Sequence, residues 1–199
     1  MGNVQFEIGS ATVLGPLLAA FCVLLAVNAV RRKPGWGGRQ ALTRLAGAVY
    51  LAGVLGLTIL PITVTYGKYA NQMPWENQLQ LIPLLTADFS FVPNVLMLVP
   101  FGMLLPLVSA KASSLWRVTA WTALASASIE VTQCLMYVLF NDARSVDVND
   151  LIANTLGGMV GYLIIRSASR VSATAGIVRA FSLHGEQIGA GHTLAAEVR

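Results

Sequence analysis

Glu130 stands in the middle of an apolar run, with Gln133 one helical turn further along and Ser126 one turn back. A second polar set follows: Arg144, then Asp147, Asp150 and Asn154 at three- and four-residue spacing. That spacing puts Asp147, Asp150 and Asn154 on one stripe of a helix, continued by Gly158 and Gly161 with Gly157 beside it. Asn94 opens a third apolar run. Together these groups offer a definite chemistry. A carboxyl group within hydrocarbon can hold or move a proton, and an acid in mid-span is functional by default. A guanidinium binds carboxylate or phosphate through paired hydrogen bonds. Acids and amides orient sugar hydroxyls, amides or an ammonium group.

Each residue also has a structural reading. Asp147 suits a helix N-cap and Asp150 the first turn, where the helix dipole favours a negative charge. Arg144 is placed to be a solvated partner of Asp142 or Asp147. Gln133 and Asn154 fit interhelical hydrogen bonding, and the glycines fit close packing. Glu130 resists such a reading best, because an isolated charge within a span is expensive.

The elements that must position these residues follow from composition. The chain has 199 residues, 55% apolar and 11% charged, against about 25% charged in ordinary globular proteins. Five segments are long and apolar enough to span a bilayer: residues 11–30, 45–65, 89–110, 118–140 and 146–165. The fold class is therefore all-α, a polytopic helical membrane protein. Of the thirteen Lys and Arg, only Lys68 and Arg144 fall on one side of this arrangement. Arg31, Arg32, Lys33, Arg39, Arg44, Lys111, Arg117, Arg166, Arg170, Arg179 and Arg199 fall on the other. The positive-inside rule then places the N-terminus outside and the C-terminus inside, in the cytoplasm. The first segment is a span and not a signal peptide, since no basic residue precedes it and three follow it.

The connections are read in the same way. Pro34 and Gly35 make a tight turn, with Trp36 as an interfacial anchor. Residues 75–85 are too short to span and read as an interfacial or re-entrant piece. Pro100 and Gly102 in the third segment predict a kink. The residues up to 170 form the membrane domain, and 171–199, rich in Ala, Gly and Ser, read as a mobile cytoplasmic tail. Because residues 141–145 allow only a short turn, the fourth and fifth segments are antiparallel neighbours. Gly158 or Gly161 is expected at their contact, and Gln133 and Asn154 at similar depth. The seven residues Asn94, Glu130, Gln133, Arg144, Asp147, Asp150 and Asn154 are then expected to converge on an outward-facing polar cleft.

The residues that carry this cleft also resemble a known family. "NVLMLVPFGMLLPL" (94–107), "SASIEVTQ" (126–133) and "RSVDVNDLIANTLGGMVGY" (144–162) are similar, in order, to the three motif blocks of the VanZ-like family. One departure is Gln80 before Leu81-Ile82-Pro83, where members often carry Asn. The resemblance implies a bacterial membrane protein tied to resistance to teicoplanin, a lipoglycopeptide acting at the outer face. It implies no particular biochemical activity.

Two classes of function stay open at this point. One is binding of a membrane lipid head group or lipoglycopeptide. Here Arg144 meets an anionic group and Asp147, Asp150 and Asn154 orient the rest. The other is an intramembrane enzyme for a lipid-linked or cell-wall substrate with Glu130 as acid or base. A transporter or proton relay through Glu130 is a third reading, disfavoured by the lack of an internal repeat. Cys22 and Cys134 sit within spans, and His184 and His192 lie in the tail. No P-loop and no paired-cysteine motif occurs, so neither a cofactor nor a metal is expected, nor is nucleic acid as a partner.

Overall fold

The computed structural model describes residues 3–70, 73–83 and 91–184. Five of its helices are long and apolar enough to cross a membrane: α1 (Ser10–Val30), α2 (Gly38–Thr58), α3 (Phe91–Val108), α4 (Leu115–Phe140) and α5 (Val148–Arg170). Two small sheets add to them. In the first, β1 (Val4–Ile8) pairs antiparallel with β2 (Ile62–Tyr66), Val4 opposite Tyr66 and Ile8 opposite Ile62. In the second, β3 (Leu79–Gln80) pairs parallel with β4 (Val146–Asp147). All four strands lie at one end of the bundle, called the strand end below.

The second span is displaced from its expected position. It occupies Gly38–Thr58, not 45–65. Pro61 has no N–H to donate and disfavours helical backbone in the residue before it. The stretch Ile-Thr-Val-Thr-Tyr that follows alternates β-branched residues with period two, which suits a strand. The expected interfacial piece begins as a 3-10 turn, Trp75–Gln78, and continues as β3. Its last residues, 84 and 85, lie outside the described residues. The third helix runs from Phe91 to Val108 without a break through Pro100 and Pro106. Tyr50 of α2 donates to the Met97 carbonyl in the turn before Pro100, at 2.9 Å.

The centre of the bundle is α5, packed on both α3 and α4. The approach to α3 is so close that a β-carbon on Gly161 would lie 2.0 Å from the Val99 carbonyl oxygen, and one on Gly157 2.2 Å from that of Val95. A β-carbon on Gly102 of α3 would in turn sit 2.0 Å from the Gly158 oxygen. Gly158 itself faces Thr122 of α4, whose hydroxyl oxygen would be 2.2 Å from an added β-carbon. Of the two glycines expected between the fourth and fifth spans, Gly158 meets α4, whereas Gly161 faces α3. The correspondence of Val95 with Gly157 and Val99 with Gly161 makes α3 and α5 parallel.

Beyond α5 the expected tail is not loose in its first part. Ser172–Phe181 forms α6, packed against α5 and α2. Thr43 Oγ1 reaches the Phe181 carbonyl at 2.6 Å and the Arg39 carbonyl of its own helix at 3.1 Å. The Leu183 N–H donates to the Leu107 carbonyl at 2.8 Å, and His184 Nε2 accepts from the Ala110 N–H at 3.1 Å. Residues 185–199 lie outside the described residues. A hydroxyl has one proton, so the Phe181 bond is the tertiary tether and is expected to contribute about 1 kcal/mol. Thr43→Val should therefore speed amide exchange in α6 by roughly fivefold. The melting temperature of the five-span bundle should stay unchanged. Wild-type exchange in α6 would show that the tether contributes nothing.

Charge is divided between the two ends. The cations on the α1–α2 and α3–α4 connections and at the ends of α5 and α6 gather away from the strands, at what is here the basic end. The described acids, Glu7, Glu76, Glu130, Asp142, Asp147 and Asp150, all lie in the half nearer the strands.

Candidate functional site

Within the strand half, α4 supplies Glu130 and Gln133, and the segment after it supplies Asp142, Arg144 and Asp147. That segment does not stay at the end of the bundle. Its extended course carries Asp147 back down α4, where the Asp147 N–H donates to Glu130 Oε2 at 3.1 Å. Helix α5 thus starts inside the bundle, its N-terminal N–H groups surrounded by protein. Asp147 accepts from the Asn149 N–H at 2.7 Å and is the helix N-cap. Glu130 satisfies the next N–H back, and its carboxyl group faces the N-terminal end of the helix. The segment carries charge into the span because a helix N-terminus is buried there. Asp147 and, in the first turn of α5, Asp150 bring three acids into this neighbourhood.

The same descent changes the depth of Asn154. Asn154 Nδ2 donates to Ser126 Oγ at 2.9 Å, placing it nearly two turns deeper than Gln133 and not level with it. Asn154 is 2% exposed, and its Oδ1 has no hydrogen-bond partner among the described residues. Glu130, Asp147 and Asn154 form a buried floor. Gln133, Arg144 and Asp150 are half-buried and form the rim.

Arg144 does not turn toward the acids of α5. It donates to the carbonyls of Thr58 at 2.8 Å and Pro61 at 3.3 Å, and its Nε lies 3.8 Å from Asp142 Oδ1. Gln133 donates to the same Thr58 carbonyl at 2.8 Å. The last carbonyls of a helix have no partner within it, and cationic groups suit that end of the dipole. Arg144 and Gln133 are therefore the cap of α2. Asp142, whose Oδ2 accepts from the Thr63 N–H at 3.0 Å, fixes β2 to the same corner. Sequence reasoning treated Asp142 only as a surface partner and missed Thr58 and Pro61. The unpaired end of α2 is the signal for them, and it stands at Thr58, seven residues before the end expected from apolar content.

Asn94 shares the stripe of Leu98 and Gly102, four and eight residues on, and both of these are buried. It is half-buried at the start of α3, and among the described residues no hydrogen bond joins it to the other six. The strap that begins at Met73 closes over the corner. Tyr137 of α4 donates to the Met73 carbonyl at 2.7 Å, and Gln80 stands opposite Asp147 in the β3–β4 pair. Among the described residues, no three His, Cys, Asp or Glu side chains approach as a metal-binding group.

A large cleft lies elsewhere, along α2 between α1 and α3, and its lining is almost wholly apolar. The floor of the polar corner is held by its own helix-end bonds, with one amide oxygen left over.

A model of the VanZ/LLP1 family matches residues 47–170, which include every element of the polar corner from α2 to α5. No curated protein and no solved structure matches the chain.

Proposed function

Because the chain belongs to the VanZ/LLP1 family of multi-pass membrane proteins, we propose that its polar corner faces outward from the bacterial cytoplasmic membrane and binds an anionic head group there. The occupant is a membrane lipid or a lipoglycopeptide of the teicoplanin type, and binding it contributes to resistance. The observation that carries this reading is the half-buried Arg144 at the rim, above a floor of Glu130, Asp147 and Asn154. A guanidinium with some solvent access and further N–H groups suits phosphate or carboxylate. The acids and Asp150 beside it suit hydroxyls, amides or an ammonium. Orientation rests on the separation of cations to the opposite end.

Two measurements test the proposal in order. A reporter active only outside the cell, fused after Arg199, should be inactive, and activity there would reverse the orientation. Expression of the chain in a sensitive Gram-positive host should raise the inhibitory concentration of teicoplanin above that of vancomycin, which lacks the lipid tail. No change for teicoplanin would reject the resistance reading. Steady release of product from a lipid-linked substrate would replace binding by turnover, with Glu130 as acid or base.

A further inference from the structure

The cleft along α2 has a volume of about 610 Å³. Its floor runs from Thr43 to Leu55, about 18 Å at helical rise. That is close to one leaflet's share of a hydrocarbon core about 30 Å thick. Leu14 and Phe21 of α1 form one wall, Phe101 and Leu105 of α3 the other. Both helices pack on α2 and leave the cleft between them. It therefore forms an apolar shaft beginning at the basic end.

Its mouth differs in character. Arg44 and Trp36 stand there, the guanidinium carbon 4.5 Å from the centre of the Trp36 ring. One arm of Arg44 donates to the Gly35 carbonyl. No carboxylate among the described residues pairs with it, since the described acids lie in the opposite half. Exposed Arg31, Arg32, Lys33 and Arg39 surround the same connection. An aromatic ring at the interface, an arginine with N–H groups to spare and a cationic collar suit a phosphate group. A shaft of acyl length below them suits a lipid tail. In a bilayer, lipid chains compete equally for apolar walls, so selectivity must come from the mouth.

We propose that one anionic phospholipid of the leaflet at the basic end seats an acyl chain in this cleft, with its phosphate at Arg44. This site is separate from the polar corner and does not depend on that corner's reading. It would hold a lipid of the opposite leaflet.

Native mass spectrometry of the full chain in mild detergent tests it, using phosphatidylglycerol and phosphatidylcholine with identical tails. Beside any lipid held at the polar corner, the wild type should retain one phosphatidylglycerol in this cleft, roughly tenfold in preference to phosphatidylcholine. Gly47 lines the floor, and a β-carbon there meets nothing within 4 Å, so Gly47→Phe fills the shaft without a backbone clash. It should lower retention roughly tenfold at unchanged helical circular dichroism. Ala48→Phe, on the same floor, replaces it if it does not accumulate. Arg44→Gln should bring phosphatidylglycerol down to the level of phosphatidylcholine. Equal retention of the two lipids by the wild type, or full retention by the filled variant, overturns the proposal. Arg117→Gln, at the basic end but outside the cleft lining, should leave retention unchanged; a loss there as well would make retention a general attraction between cations and anionic lipid and overturn the proposal.

Discussion

Gly161→Leu should prevent the folded protein from accumulating, and Gly161→Ala alone should lower its melting temperature measurably in detergent. The reason is the character of the obstacle. A β-carbon at Gly161 would lie 2.0 Å from the Val99 carbonyl oxygen and 3.0 Å from the Met103 nitrogen, both backbone atoms. A side chain can turn aside, but here two helices must separate. Separation also opens the neighbouring contacts, because Gly157 and Gly102 interlock along the same seam. Overpacking of this kind typically costs about 1–3 kcal/mol for small increments, and an alanine regains about 1 kcal/mol of helix propensity. For Gly161→Ala the balance is a net loss of up to roughly 2 kcal/mol. Leucine adds branched bulk to the same seam, which α3 cannot clear while packed. Gly53→Ala is the control: nothing lies within 4 Å of its added β-carbon, so only the propensity gain remains, up to about 1 kcal/mol. If Gly161→Ala melts with the wild type, α3 and α5 do not pack as closely as described.

That seam shows what the sequence could and could not convey. The run from Asp147 through Asn154 to Gly161 is legible as one face of one helix, because spacing alone determines it. Which neighbour each glycine meets is not, because α5 is central and has two partners. A stripe indicates that something comes close without indicating what. The same limit displaced the second span. Apolar content favours a helix through Thr65, and the alternation in Ile62–Tyr66 is hidden within that longer apolar window. Val4–Ile8 carries a matching alternation, but a strand needs a partner, and that partner had been assigned to a helix. The seven polar residues were legible by type and cost. Their bonds were not, because five of the decisive acceptors and donors are backbone atoms. The carbonyls of Thr58 and Pro61 and the N–H groups of Thr63, Asp147 and Asn149 carry no signature of side-chain type.

Glu130→Gln is expected to abolish teicoplanin protection while leaving the protein folded, and Glu130→Leu to destabilise it. Glu130 holds the Asp147 N–H through one oxygen at 3.1 Å. Glutamine keeps a carbonyl oxygen at nearly the same place, so that buried N–H keeps an acceptor. At most, what is lost is the interaction of a carboxylate with a helix N-terminus, worth about 0.3–1 kcal/mol and up to about 2 when partly buried. The change in melting temperature should therefore be small. Leucine instead leaves the Asp147 N–H without an acceptor at a buried position, a loss of about 1–3 kcal/mol. The pair therefore separates two roles one carboxylate can play. If it only supports the start of α5, protection should follow stability: retained by glutamine, lost with leucine. If the proposed site needs a charge or a proton there, protection should vanish with glutamine at wild-type abundance. Arg144→Ala checks the rim independently. It removes the partner of the Pro61 carbonyl but leaves Gln133 on Thr58 and Thr63 on Asp142, so a loss of about 1–3 kcal/mol is expected. Full protection by both Glu130→Gln and Arg144→Ala, with the protein present in the membrane, would leave the corner a helix-end clamp and remove it as the site.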